Sequence, residues 1–153
     1  MNEGLFNSAI NSVPSPIHHL IYVSTAVRPL SEGALDEMLA QARRKNLLRG
    51  LTGLLVYGGG NFMQLLEGPR EAVEDVYRRI ARDPRHYDVT CIVALDTSER
   101  WCADCSMAYA RHQDDREVEG FRALVGDGTK VLESLSDDNI GRQLMAGFIA
   151  GNR

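Results

Sequence analysis

Two short apolar segments joined by three glycines are the feature that most restricts the fold of this chain. Leu51–Tyr57 and Asn61–Glu67 are each rich in leucine, and Gly58–Gly60 lies between them. Such a pattern predicts a β-hairpin, because glycine accepts the positive φ angles of tight turns. A phosphate-binding loop would place its glycines between a strand and a helix, so we interpret this run as a turn.

The segments on either side of the hairpin alternate between strand and helix patterns. Strands are predicted at His18–Thr25 and Asp88–Asp96, with a shorter one at Ser106–Tyr109. Helices are predicted after Ser31, a good N-cap, and after Pro69, which suits the start of a helix. The order β-α-β-β-α-β-β predicts an α+β fold of the ferredoxin-like type with one added strand. Two helices should then cover one face of a mostly antiparallel sheet.

Three segments are expected along the chain. Residues 1–16 contain asparagine, serine and two prolines without periodicity, and we expect a flexible lead-in. Residues 17–112 are expected to form the domain, and residues 113–153 a C-terminal helical extension.

Two helices are predicted in the extension, at Glu117–Val125 and Asp137–Ala150, with Ser136 as a candidate N-cap of the second. Their apolar residues, such as Leu144 and Phe148, are expected to cap the free face of the sheet. Contacts in a homodimer or higher homo-oligomer are expected as a second use of these residues.

Composition and charge exclude several classes of protein. With 153 residues, 44% of them hydrophobic, the chain has the size of one domain with its own core. A net charge of -4 argues against nucleic-acid binding, which needs clustered cations. No apolar run approaches the ~20 residues of a membrane span, and the N-terminus lacks a secretory pattern. Three cysteines, an odd number, favour a reducing cytoplasmic location.

Motifs of catalysis are missing from the sequence. It contains no nucleophile elbow, Walker loop or zinc-protease motif, so we do not expect an enzyme. Cys102 and Cys105 form a C-x-x-C pair, but Cys91 and His112, the nearest further ligands, complete no recognised metal spacing. We therefore interpret these cysteines as structural or incidental thiols rather than a redox or metal site.

Three polar residues occur where a core is expected. Tyr22 and Gln64 lie in the middle of predicted strands, and Asn46 lies near the predicted end of the first helix. Each alone has an ordinary structural explanation. If the first and third strands are neighbours, however, Tyr22 and Gln64 can face the same side. Because buried polar groups cost about 1–3 kcal/mol unless they are satisfied, three converging groups indicate a pocket for a planar heterocycle with carbonyl and imide edges.

Several of these segments, at matching separations, resemble the BLUF domains, which sense blue light using FAD. The strongest are Gly50–Tyr57 and Asn61–Pro69, and the resemblance covers roughly residues 17–112. The supporting segments are Leu20–Ser24, Ala42–Asn46, Asp83–His86 and Ser106-Met107. The resemblance implies a flavin held between the two helices with its ring edge facing the sheet.

The resemblance also implies a role for individual residues. Tyr22 matches the photoactive tyrosine of the family, and Gln64 the glutamine that bridges this tyrosine and the flavin. Asn46 matches the asparagine that binds the carbonyl edge of the ring, and Met107 the methionine that responds to the glutamine. The further cofactor-binding positions implied are Lys45 and Arg85 near the ring or phosphate, and Met38, Leu55, Phe62 and Ile80 around the ring. FAD is the expected cofactor, with FMN and riboflavin as alternatives.

The sequence departs from the family pattern in the switch region, Cys105-Ser106-Met107. Family members commonly carry tryptophan where this chain has Cys105, and Trp101 lies four residues earlier. A switch that moves a tryptophan in and out is therefore not expected here. Our hypothesis is that loss of the indole loosens packing near the flavin and alters dark recovery.

Three functions fit the sequence. The first is a blue-light photoreceptor that signals through an unknown protein partner or through self-association, because the tail has no room for an output enzyme. The second is an acylphosphatase-like hydrolase, although Thr25–Pro29 contains no glycine for a phosphate loop. The third is a flavin-free module for protein interaction.

Overall fold

The computed structural model describes residues 15–29, 31–103, 108–112 and 136–151. Its strands are β1 (Ile17–Ala26), β2 (Thr52–Gly58), β3 (Asn61–Gly68), β4 (His86–Thr97) and β5 (Ala108–His112). Its helices are α1 (Glu32–Arg49), α2 (Arg70–Ala81) and α3 (Ile140–Gly151). The predicted helix at Glu117–Val125 lies outside the described residues.

The strands form one sheet in the order β4-β1-β3-β2-β5. The pairs β4–β1, β1–β3 and β3–β2 are antiparallel, and β5 runs parallel to β2 at the edge of the sheet. The ferredoxin-like α+β prediction is therefore confirmed, including the added strand. β4 begins two residues earlier than predicted, at His86. Its pairing with β1 contains two register shifts, and one of them spans Asp88, which has a φ angle of 54°. Alternation alone does not reveal such irregular pairing.

The ends of α1 are defined by two residues with different roles. Ser31 is the predicted N-cap, and its Oγ accepts the N–H of Ala34 at 3.1 Å. Gly50 ends the helix in the left-handed conformation, with a φ angle of 70°. The prediction that Asn46 lies close to the helix exit is confirmed. It lies in the last turn, where its carbonyl accepts the N–H of Leu51 at 2.9 Å.

Each face of the sheet carries its own apolar core. On one face α1 and α2 pack over a cluster that comprises Leu20, Tyr22, Leu35, Leu39, Leu51, Leu55, Tyr57, Phe62, Leu66 and Val73. On the other face α3 contributes Met145, Leu144 and Phe148 to a cluster with Ile21, Leu54, Val56, Met63 and Leu65. The expectation that the tail caps the free face is thus confirmed for α3. Among the described residues, no helix has the length and apolar character to cross a bilayer.

The start of α3 differs from the prediction. The Oδ1 atom of Asn139 accepts the N–H of Arg142 at 3.0 Å, which makes Asn139 the N-cap. Ser136 belongs to the preceding turn, where its carbonyl accepts the N–H of Asn139 at 3.0 Å. The candidate cap at Ser136 was therefore wrong by three residues.

Gly68, at the end of β3, is the glycine with the strictest steric requirement. Its φ angle is 152°, and an added Cβ atom would lie 2.7 Å from Leu51 Cδ2 and 2.8 Å from the carbonyl oxygen of Gly50. We expect Gly68→Ala to lower the free energy of unfolding by about 2 kcal/mol or more, because backbone must move. Urea denaturation measures this change. Gly33→Ala is the matched control: its surroundings in α1 are open, so it should be neutral or stabilising. Equal stability of the two variants would contradict the prediction.

Candidate functional site

A cavity of about 470 Å³ opens between α1, α2 and the sheet. The nine predicted site residues that the structure describes all line it: Tyr22, Met38, Lys45, Asn46, Leu55, Phe62, Gln64, Ile80 and Arg85. The other three, Cys105, Ser106 and Met107, lie outside the described residues. The surface of the cavity wall is mostly apolar, but polar and charged side chains from the sheet, both helices and the loop after α2 also line it.

Three neighbouring strands present Tyr22, Gln64 and Leu55 to the cavity. Gln64 on β3 is paired with Tyr22 on β1 and with Leu55 on β2. All three side chains are buried, and the Tyr22 hydroxyl donates a hydrogen bond to Gln64 Oε1 at 2.5 Å. Tyr22 and Gln64 were expected to face the same side if the first and third strands are neighbours, and β1 and β3 are indeed paired.

The Tyr22 phenol keeps its proton in this environment. Burial raises its pKa well above the usual value, and the negative charge of Asp83 and the nearby Tyr77 add to the effect. The neutral hydroxyl is therefore a hydrogen-bond donor, and Gln64 accepts through its amide oxygen. An amide that accepts through Oε1 can donate only through Nε2, so the orientation of Gln64 determines which of its ends faces Tyr22.

The last turn of α1 reverses the usual pattern of burial. Asn46 is only 2% exposed, whereas Leu47 and Leu48 are 73% and 87% exposed. Hydrophobicity alone would bury the leucines and expose the amide. A polar amide held inside, on a wall of a cavity, is the arrangement expected of a ligand-binding residue.

His86 also lines the cavity, although the sequence analysis assigned it no role. Its Nε2 lies 2.5 Å from the carbonyl oxygen of Ile80, and its Nδ1 lies 2.8 Å from Ser24 Oγ. Since a carbonyl only accepts, Nε2 carries the proton. The ring is edge-on to Tyr22 and Phe62, with centroid distances of 6.3 and 6.2 Å. The available sequence signal for His86 was its place in the Asp83–His86 segment, one of the segments on which the family resemblance rests.

Cationic side chains lie along the helix side of the cavity. Lys45 and Arg49 come from α1, Arg79 from α2, and Arg85 from the loop after α2. Asp83 accepts hydrogen bonds from the Arg85 backbone and side chain at 2.9 Å, which lowers the pKa of the Asp83 carboxyl despite partial burial. Arg49 and Arg79 were missed. The available signal for Arg79 was its place on α2, three residues after Val76 and next to Ile80, which both line the cavity.

Trp101 lies on the face of the sheet opposite the cavity. Its ring stacks on His19 with a centroid distance of 4.0 Å, and it packs with the α3-side core. A Cβ atom on Gly141 of α3 would lie 2.8 Å from the indole ring, so the indole and the helix backbone are in close contact. Trp101 therefore does not line the cavity.

Glu67, on β3, anchors the segment that contains Trp101. Its carboxylate is fully buried and accepts the N–H groups of Trp101 and Cys102 at 2.9 and 2.8 Å and the Thr52 hydroxyl at 2.9 Å. His19 Nδ1 lies 3.1 Å away. Burial alone would raise the pKa of Glu67, but these hydrogen bonds outweigh it and lower the pKa. No pattern in the sequence indicates a buried carboxylate at this position.

The cysteines provide no metal site among the described residues. Cys91 is exposed with a free thiol, and Cys102 is buried and disulfide-bonded. Cys105 lies outside the described residues. In the part of the chain that the structure describes, no three histidine, cysteine or acidic side chains cluster closely enough to hold a metal ion.

Comparisons with known proteins agree on one family. The BLUF family, described as sensors of blue-light using FAD, matches residues 17–108. The photoactivated adenylate cyclase subunit beta of Euglena gracilis is 43% identical over 53% of this chain. The blue light- and temperature-regulated antirepressor BluF of Escherichia coli (strain K12) is 34% identical over 67% of it. These matches span 9% and 23% of the two relatives, respectively.

A solved structure of similar size gives the same result. BlrB, a BLUF protein solved in its dark state, superposes with a TM-score of 0.65 at 27% identity. The similarity covers 89% of this chain and 97% of BlrB.

Proposed function

Because this chain belongs to the BLUF family of blue-light sensors, we propose that it binds a flavin in the cavity between α1 and α2 and responds to light through Tyr22 and Gln64. The observation that carries the proposal is the buried hydrogen bond from the Tyr22 hydroxyl to Gln64 Oε1, where the sheet forms the floor of a mostly apolar cavity. A buried polar pair at this position indicates a ligand with polar atoms at one edge.

The residues around the cavity fit a flavin ring. Leu55, Phe62 and Ile80 provide the apolar contacts that a planar ring requires. Asn46, held inside by the end of α1, offers both a donor and an acceptor to a carbonyl and imide edge. Lys45 and Arg85 suit the phosphate side, which favours FAD over riboflavin.

When bound, a flavin excited by blue light supplies a strong one-electron oxidant. Tyr22 is the proposed electron donor, and its phenol proton is already hydrogen-bonded to Gln64 Oε1. Loss of an electron makes a phenol strongly acidic, so the proton follows along this hydrogen bond. Return of the electron and the proton to Tyr22 would restore the phenol and leave Gln64 rotated or in its other tautomer, with the donor end of its amide available to hydrogen-bond a flavin held in the cavity. In a dry site such an exchange of hydrogen bonds is worth more than in water.

Absorption spectra before and after blue light test the proposal. A new hydrogen bond that stabilises the excited state by about 1.4 kcal/mol relative to the ground state moves a band at about 450 nm to the red by roughly 10 nm. We expect purified protein with flavin bands that show this shift and recover in the dark. A colourless protein that FAD does not reconstitute, or a flavin protein with no shift, would contradict the proposal. Chromatography of the released cofactor distinguishes FAD, FMN and riboflavin.

The signal is proposed to leave through protein contacts. α3 packs on the face of the sheet opposite the cavity, and both faces share the central strand β3. A downstream protein or a second copy of this chain is the proposed recipient, and no catalytic step in the chain is proposed.

A further inference from the structure

An ion pair joins the two helices that border the cavity. Arg49, in the last turn of α1, places its guanidinium 2.5 Å from the carboxylate of Asp75 on α2. The two side chains are about one third exposed, yet the paired atoms are buried. Arg49 also lines the cavity, so the pair lies at its rim.

The surroundings of Asp75 keep its carboxylate ionised. The hydrogen bond from Arg49 is the main cause of its lowered pKa, and the positive charges of Arg79 and Arg78 contribute. Arg79 lies 3.4 Å and Arg78 3.7 Å from this carboxylate, but both belong to α2 itself. Only the contact with Arg49, of these three, connects Asp75 to the other helix.

A ring held between two helices leaves most directly when the helices move apart. Such a movement separates Arg49 from Asp75, because each is attached to a different helix. A partly buried charged pair resists separation more than a fully exposed pair, since water compensates it less. We propose that the Arg49–Asp75 ion pair straps α1 to α2 at the cavity rim and slows the exchange of the bound flavin. This inference rests on the proposed function and adds a determinant of cofactor retention to it.

The experiment measures flavin release from the full chain. Protein loaded with riboflavin, and separately with FAD, is mixed with an excess of a flavin-binding scavenger, and the rate constant of release is recorded by fluorescence. The variants are Asp75→Asn, Arg49→Gln and the double variant. Glu74→Gln is the matched control, because Glu74 neighbours Asp75 on α2 and pairs with Arg70 within the same helix. Riboflavin has no phosphate, so it separates a strap from direct attraction of phosphate by the arginines.

We expect each single variant to release riboflavin about threefold to tenfold faster than the unmodified chain. The double variant should match the single variants, because one interaction is lost in all three, and Glu74→Gln should have no effect. Release from the unmodified chain should also accelerate with salt, and that dependence should be weaker in the double variant. The salt measurement on the unmodified chain requires no variant to fold.

Three results would overturn the strap. These are unchanged riboflavin release in both single variants, effects that multiply in the double variant, and a change confined to FAD. The last would assign the arginines to phosphate binding. Failure of the proposed function is recorded separately, as absent flavin or an absent red shift in the unmodified chain.

Discussion

Replacing Gln64 with leucine is expected to leave the flavin bound and to abolish the red shift. Leucine has nearly the volume of glutamine but cannot accept the hydrogen bond from Tyr22 or donate one to a cofactor. The cavity walls remain, so the protein should stay yellow. The entire shift of roughly 10 nm, equivalent to about one hydrogen bond, should disappear from the difference spectrum.

Two further variants make this result specific. Tyr22→Phe removes only the hydroxyl and should also bind flavin without a shift. Gln143→Leu is the matched control. Gln143 lies exposed on α3, which packs on the face of the sheet opposite the cavity, and its side chain donates to the carbonyl of Asp137. Its red shift should equal that of the unmodified chain. An intact photocycle in Gln64→Leu or Tyr22→Phe would refute the assigned role of that residue.

Replacing Glu67 with alanine is expected to destabilise the fold by about 3–5 kcal/mol, as measured by urea denaturation. The change leaves the N–H groups of Trp101 and Cys102 without their acceptor and leaves His19 without its acidic partner. Glu74→Gln is the control, because Glu74 forms an exposed pair with Arg70 and should change stability by no more than about 0.5 kcal/mol. A loss below about 1 kcal/mol in Glu67→Ala would show that the buried carboxylate is not a structural anchor.

The same residue predicts the direction of the pH dependence. The folded state lowers the pKa of Glu67 below its usual value of 4.5. Its stabilising contribution is therefore fully present above pH 4.5 and is lost as the pH falls through the lower folded-state pKa. Glu67→Gln should thus lose less stability between neutral and acidic pH than the unmodified chain. An identical pH profile for both proteins would contradict this assignment.

The parts of the fold that depend on local patterns could be predicted from the sequence. The glycine turn Gly58–Gly60 defined the hairpin, and the hairpin defined the register of β3. Tyr22 and Gln64 could be placed together because residues of adjacent strands have only two faces to choose from. Ser31 was a correct cap because its side chain bonds within one turn of its own position.

The missed features all depend on how elements pack. The burial of Glu67 follows from no local pattern, because its four partners come from three separate segments that meet only in the folded chain. Arg49 and Asp75 lie on different helices, and their distance follows only from the way both helices rest on the sheet.

The position of Trp101 has a practical consequence. It is the one tryptophan of the chain, and it lies between His19 and the backbone of α3, on the side of the sheet away from the cavity. Its intrinsic fluorescence therefore reports on the packing of α3 against the sheet. The visible absorption of the proposed flavin would report on events beside Tyr22. Under the proposed function, recording both signals after a flash would time the response on each face of the sheet separately, and the delay between them would measure how long a change beside Tyr22 takes to reach α3.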